Sequence, residues 1–306
     1  MNLKELSKRK EVFVSGHRMC PGCGAGIVAR QVTLAANMPI VVASATGCVE
    51  VSSSIYPFTS WKVPWIHNAF ENAAATLSGV EAAYNALKKK GKIKKDIKFI
   101  AIGGDGGTYD IGLQSLSGTL ERGHNLLYVC YDNEAYMNTG IQRSSATPFG
   151  AETKTDPYGK LRQGKQEFKK NLTEVVAAHG IPYAAQASIG YWNDLNMKVE
   201  KALSVKGPSF INVLSPCIPG WGVPANTTIK IAKLATETCF WPLYEVENGK
   251  YTINFDPEDK KKQIIEWIKL QKRFSHLMEP ANKPIIDKIQ AKVDSDWELL
   301  KKKTKL

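Results

Sequence analysis

Two cysteines in "GHRMCPGCGAG" (16–26), Cys20 and Cys23, stand three positions apart on a Pro-Gly turn. That spacing serves a zinc knuckle, a redox dithiol or half of an iron-sulfur ligand set. A zinc ribbon needs a second such pair, and the remaining cysteines, Cys48, Cys130, Cys217 and Cys239, are isolated. A thioredoxin-like pair opens a helix directly after the first strand of its fold and has no need of the phosphate-type loop described next. Cluster ligation, by contrast, tolerates scattered cysteines that the fold brings together. Cys48 in "ATGCVEV" and Cys217 in "LSPCIPG" both follow predicted strands, so they can join Cys20 and Cys23, and four thiolates suffice for one 4Fe-4S cluster. Cys130 inside a strand and Cys239 on an expected helix read as buried structural thiols.

The second chemical signal is "GGDGGTYDIG" (103–112), between a predicted strand and a helix-like run. Glycines at such a turn let backbone amides approach an anionic group. Asp105 adds a hard oxygen, and a carboxylate beside a phosphate-friendly loop suits Mg2+ bridging protein and diphosphate. Asn133, in "YDNEAYMNTG" (131–140), ends the next strand, so two adjacent parallel strands can present both side chains to one ion. A nicotinamide site is the competing reading of the glycines. It lacks its acidic partner, because Glu121 sits before "RGHN" inside an expected helix rather than at a strand end.

These residues need a scaffold that gathers them. Short β-branched runs occur at 39–47, 97–106, 125–133, 182–188 and 207–216, and helical stretches at 68–91, 166–180 and 193–207. Strands buried on both faces and alternating with amphipathic helices predict an α/β fold with a doubly wound, mainly parallel sheet. Such sheets bind ligands at the carboxyl ends of their strands, which places Cys48, Asp105, Asn133 and Cys217 on one rim. "WIHNAF" reads as the start of the Ala-rich helix. The segment 138–166 is long, polar and irregular, as binding loops are. Residues 1–306 are read as one domain, with an N-terminal cysteine loop and a helical extension from about 218.

Composition sets outer bounds. The 306 residues carry a net charge of +12, with lysine runs at 88–98, 260–262 and 301–305 that read as solvated helix ends. The charge admits an acidic protein partner or nucleic acid, but no recognised nucleic-acid motif is present. No apolar run is long enough to span a membrane, and the charged start lacks the apolar centre of a secretory signal, so a cytoplasmic protein is expected.

G-D-G followed at this distance by Asn resembles the diphosphate-binding signature of thiamine diphosphate enzymes. Together with "GHRMCPGCG", "ATGCVEV", "VPWIHNAFENAAA", "LERGHNLLYVCYDNEAYMNTGIQRSSATP", "LSPCIPGW" and "ATETCFWPLYE", it resembles the beta subunits of the 2-oxoacid:ferredoxin oxidoreductases, most of all those acting on pyruvate, over nearly the whole chain. The resemblance implies thiamine diphosphate at Gly47, Gly104, Asp105, Gly106, Asn133 and Ala135, with Mg2+ held by Asp105, Asn133 and the carbonyl of Ala135. It implies a 4Fe-4S cluster on Cys20, Cys23, Cys48 and Cys217, and Asn138 at the substrate; Thr139, in the irregular segment, is read separately as a candidate to face substrate or coenzyme A. Implied partners are an alpha subunit carrying the pyrimidine half-site, a gamma subunit, a ferredoxin-like delta subunit, external ferredoxin, coenzyme A and the 2-oxoacid. Nucleic acid and membrane are not among them. Branched-chain 2-oxoacids or oxalate are alternative substrates, and a basic zinc-ribbon protein is the remote one. His17, His67 and Arg143 are further candidates. One departure stands out: several members carry Glu two residues after the second cysteine, where this chain has Ala25.

Overall fold

The structure, a computed structural model, describes residues 3–305. Eight strands form one sheet in the order β2-β1-β3-β4-β6-β5-β7-β8. The strands are β1 (Ile40–Ser44), β2 (Trp65–His67), β3 (Lys98–Gly104), β4 (Leu127–Asp132), β5 (Tyr183–Ser188), β6 (Ser209–Leu214), β7 (Tyr244–Glu247) and β8 (Lys250–Ile253). The first six are mutually parallel, and β7 and β8 add an antiparallel edge.

Alternation along each strand divides the core in two, as the period-2 side-chain geometry requires. Val42, Ile100, Ile102, Val129 and Ile211 pack on one face against Val28, Ala29 and Val32 of the helix Gly24–Ala36 and Leu195 and Val199 of the helix Trp192–Ser204. Ala43, Ala101, Tyr128, Cys130 and Phe210 face the other way. There they meet Leu77 of the helix Ala73–Lys89, Leu116 of the helix Leu113–Glu121 and Trp297 of the C-terminal helix Lys283–Lys303. The doubly wound, mainly parallel sheet is as the sequence pattern predicts. Among the described residues no helix is long and apolar enough to cross a membrane.

Four local expectations are corrected. "WIH" is not helical: it forms β2 along β1, and the Ala-rich helix begins at Ala73. The stretch 166–180 holds only the short helix Leu172–Ala177. Beyond 218 the chain is not purely helical, because Tyr244–Glu247 and Lys250–Ile253 pair as a hairpin. Its turn is Asn248-Gly249, both residues with positive φ (50° and 83°). Asn-Gly between alternating β-formers is the strongest short hairpin signal a sequence carries. Cys239 lies just past the helix Thr228–Glu237 rather than on it, and is buried, as is Cys130.

Candidate active site

The order β1-β3-β4-β6 puts four neighbouring parallel strands side by side, and the segments leaving their carboxyl ends carry Cys48, Asp105, Asn133 and Cys217. Gly104 pairs with Tyr131 in register, so Asp105 and Asn133 emerge next to each other. After β3 the chain widens into a π-helical turn, Gly106–Ile111, before the helix Leu113–Glu121, where the sequence suggests a plain strand-to-helix turn. A Cβ on Gly106 would stand 2.4 Å from the Tyr136 ring, and one on Gly107 2.8 Å from the Phe70 carbonyl. Close approach, rather than unusual backbone angles, demands these glycines.

Asp105 is buried. Its Oδ2 accepts from the Ser144 hydroxyl at 2.5 Å and its Oδ1 from the Asn133 backbone N–H at 3.2 Å. Burial, reinforced by the nearby Asp132 carboxylate, pushes its carboxyl well above the ordinary range, so the site disfavours a lone negative charge. The Asn133 side-chain amide can be placed either way round. Turned one way, its NH2 donates to Asp105 Oδ1 at 2.8 Å and to the Ala135 carbonyl at 2.9 Å; turned the other way, its oxygen occupies that place and three oxygens face one another. Oxygens about 2.05 Å from an octahedral Mg2+ stand about 2.9 Å apart, so this spacing suits that ion. Among the described residues no three His, Cys, Asp or Glu side chains are placed to hold a metal ion. The fitting oxygens here come from one carboxylate, one amide and one carbonyl.

These groups open on a small, solvent-open cavity whose lining includes Thr46, Gly47, Gly104, Gly106, Asn138 and Thr139. Cys48 lines the same cavity. Asn138 and Thr139 are exposed on its lip, and the Thr139 hydroxyl is engaged by Gln142 at 2.5 Å. A Cβ on Gly47 would lie 2.5 Å from the Tyr131 hydroxyl, so the backbone before Cys48 packs directly on β4.

The cysteine loop reaches this rim by backbone contact. Cys23 N–H donates to the Cys20 carbonyl at 3.0 Å, closing the turn, and Gly24 N–H donates to the Pro216 carbonyl at 3.2 Å, one residue before Cys217. The Thr228 hydroxyl donates to the Gly22 carbonyl at 2.6 Å from the far side. Burial pushes the Cys48 thiol up to about 12, with the neighbouring Cys217, Cys23 and Cys20 adding to the rise. Cys217 is likewise raised to about 12 by burial, with Cys23 and Cys20 contributing, and burial raises Cys23 too. Cys23, Cys48 and Cys217 thus resist ionisation unless a cationic centre shares the space, as thiolate ligation of iron provides. Among the described residues the cysteines do not close around a single metal ion; corner thiolates of a cubane cluster stand farther apart than ligands of one zinc.

The remaining candidates lie elsewhere. His17 stacks on Phe13, and His67 Nδ1 pairs with Glu50 at 2.6 Å. Arg143 pairs with Asp156 and Glu167, pinning the exposed part of the irregular segment rather than lining the cavity. Ala25 is buried within the helix Gly24–Ala36.

Residues 45–213 match the family described as thiamine pyrophosphate enzyme, C-terminal TPP binding domain. Over 294 residues the chain is 55% identical to the pyruvate synthase subunit PorB of Methanocaldococcus jannaschii, covering 95% of this chain and 97% of that one. The chain belongs to the 2-oxoacid:ferredoxin oxidoreductase family. The ketoisovalerate oxidoreductase subunit VorB of Pyrococcus abyssi is 46% identical over 294 residues, covering 96% of this oxidoreductase chain and 93% of its own. The solved 2-oxoglutarate:ferredoxin oxidoreductase from Magnetococcus marinus shares the fold with a TM-score of 0.56 at 22% identity, covering 72% of this chain and 79% of that one. The matched thiamine pyrophosphate-binding span runs from the turn before Cys48 through β6, and so contains Asp105, Asn133 and Ala135.

Sequence reasoning did not single out Ser144, Glu134, Lys169, Trp221 or Arg273, all packed around the oxygen site. Glu134 carried a signal, lying between Asn133 and Ala135. Arg273 carried none, since it meets Glu134 across 139 residues of chain.

Proposed function

We propose that this chain is the beta subunit of a pyruvate:ferredoxin oxidoreductase, interconverting pyruvate, coenzyme A and oxidised ferredoxin with acetyl-CoA, carbon dioxide and reduced ferredoxin. The observation that carries this reading is the meeting of two sites in one cavity: the oxygens of Asp105, Asn133 and Ala135, and the thiol of Cys48. Asp105, Asn133 and the Ala135 carbonyl hold Mg2+, while Gly47, Gly104 and Gly106 let the diphosphate approach the backbone. Cys20, Cys23, Cys48 and Cys217 hold one 4Fe-4S cluster. When bound, thiamine diphosphate would supply an electron sink for decarboxylation and the cluster a one-electron acceptor.

The chain's own residues prepare these sites. Ser144 and the Asn133 backbone N–H hold the Asp105 carboxylate toward the Asn133 and Ala135 oxygens. Raised thiols at Cys48 and Cys217 shed protons when iron loads, so cluster assembly releases acid. Asn138 and Thr139, on the exposed lip, face the 2-oxoacid. An alpha chain supplies the pyrimidine half-site, gamma and ferredoxin-like delta subunits complete a cytoplasmic complex, and soluble ferredoxin receives the electrons.

The likeness to a ketoisovalerate enzyme makes substrate choice the point to test. The purified complex is assayed anaerobically for coenzyme A-dependent ferredoxin reduction with pyruvate and with ketoisovalerate. The expected kcat/KM for pyruvate exceeds that for the branched acid by at least about tenfold, the discrimination a pocket gains from a few carbon atoms. A preference for the branched acid reassigns the substrate, and no ferredoxin reduction with any 2-oxoacid rejects the proposal.

A further inference from the structure

Glu134 stands at the one position between two of the three facing oxygens, and its backbone is in the left-handed region, with φ +70°. Glycine and asparagine favour such a position; a fully buried glutamate does not. Its peptide is clamped on both sides: its N–H donates to Asp132 Oδ1 at 3.1 Å, and its carbonyl accepts from the Thr147 hydroxyl at 2.7 Å. The carboxylate is held by two cations. Its Oε2 pairs with Arg273 at 2.5 Å and its Oε1 with Lys169 at 3.1 Å, and Lys169 also pairs with Asp132 at 2.8 Å.

Arg273 is itself buried, in the 3-10 segment Lys272–Met278 of the C-terminal extension. Its Nε donates to Gln271 Oε1 at 2.9 Å, and the guanidinium lies over the Trp221 ring, 4.1 Å from its centroid. Trp221 ends the short helix Ile218–Trp221 that starts after Cys217, and its indole N–H donates to the Asn133 carbonyl at 2.8 Å. One guanidinium therefore braces Glu134 directly and Asn133 through Trp221, while resting on the helix that Cys217 caps.

We propose that Glu134 and Arg273 are positioning residues for the cation site: their buried ion pair fixes the left-handed turn 133–135 and so aims the Asn133 side chain and the Ala135 carbonyl at one ion. The inference rests on the magnesium role given above to Asp105, Asn133 and Ala135. Outer partners that orient ligands typically change metal affinity by about tenfold to a hundredfold when removed.

The test uses the intact complex. Removing Glu134 alone strands a buried guanidinium, so the pair is replaced together, Glu134→Gln with Arg273→Met, which deletes one charge of each sign and keeps apolar bulk over Trp221. Thiamine diphosphate-dependent Mn2+ binding is read by electron paramagnetic resonance titration, alongside melting of the cation-free complex. The double variant is expected to bind Mn2+ at least about tenfold more weakly while its cation-free melting temperature stays within about 2 °C of the parent. Arg273→Lys, which keeps the charge but not the fork, is expected to lose about threefold. It decides the matter alone if the double variant does not assemble. Unchanged Mn2+ affinity in these variants overturns the positioning role. Absence of thiamine diphosphate-dependent Mn2+ binding in the parent complex rejects instead the cation site itself.

Discussion

Lys165 is buried, and three backbone carbonyls meet its ammonium: Ser144 at 3.3 Å, Ser145 at 3.4 Å and Thr147 at 2.7 Å. It thereby holds the loop whose Ser144 hydroxyl reaches Asp105. Burial depresses its pKa from the ordinary 10.5 to about 8, with Arg143 and Lys169 adding to the fall. The sign follows from linkage. Below pH 8 folded and unfolded chains are both protonated here, and the group adds no pH dependence. Between pH 8 and 10.5 the unfolded chain keeps a proton that the folded chain has released, so stability climbs as pH rises through that window. A full proton of difference corresponds to about 1.4 kcal/mol per pH unit. Lys165→Met is expected to flatten this rise relative to the parent in melting curves collected from pH 7.5 to 10.5; identical slopes would mean that Lys165 titrates normally. At this scale the sequence was most legible where chemistry restricts residue type. Asp105, Asn133 and the four cysteines stand out as candidates because few residues offer a hard oxygen or a thiolate. Ser144, Lys165 and Arg273 could not, since a serine, a lysine or an arginine is common anywhere and only the fold shows what each one touches.

Among elements, the π-helical turn Gly106–Ile111 has the tightest tolerance. Tyr136 crosses it and donates its hydroxyl to the Gly106 carbonyl at 2.8 Å, and a methyl at Gly106 would enter the ring at 2.4 Å. Gly106→Ala is expected to cost about 1–3 kcal/mol of stability by overpacking and to push Tyr136 out over the cavity it lines. Thiamine diphosphate affinity and melting temperature, measured together, check this, and a variant unchanged in both would show that the ring moves aside freely. The parallel strands were readable because Val, Ile and Phe runs ending in Gly, Asp or Asn leave few alternatives. The π-helical turn was not, since its extra residue is set by packing of Gly106 and Gly107 against Tyr136 and Phe70 rather than by any local propensity. β2 was hidden because "WIH" adjoins a strongly helical Ala-rich run. The β7–β8 hairpin was readable from Asn248-Gly249 and was obscured by the lysine-rich segments that follow it.

Taken whole, the molecule is a sheet whose strand order turns distant stretches of sequence into one rim: the helix after β1, the turn after β3, the loop after β4 and the short helix after β6. The N-terminal Cys-Pro-Gly-Cys loop docks there through Gly24 and the Pro216 carbonyl. The C-terminal extension docks from the other side through Arg273. The cysteine loop and the Arg273 segment thus converge on the region beside the oxygen site and the thiols, and both lie outside the matched span 45–213 but within the nearly full-length similarity. The central claim is that the oxygen site and the four thiols serve one electron-transferring centre. Its most direct measurement is the anaerobic iron, acid-labile sulfide and thiamine diphosphate content of the native complex, compared with one carrying Cys217→Ala. The account predicts that the variant loses about four irons and about four sulfides per copy of this chain while its partners' iron is unaffected. Iron and sulfide equal in the two preparations would contradict it.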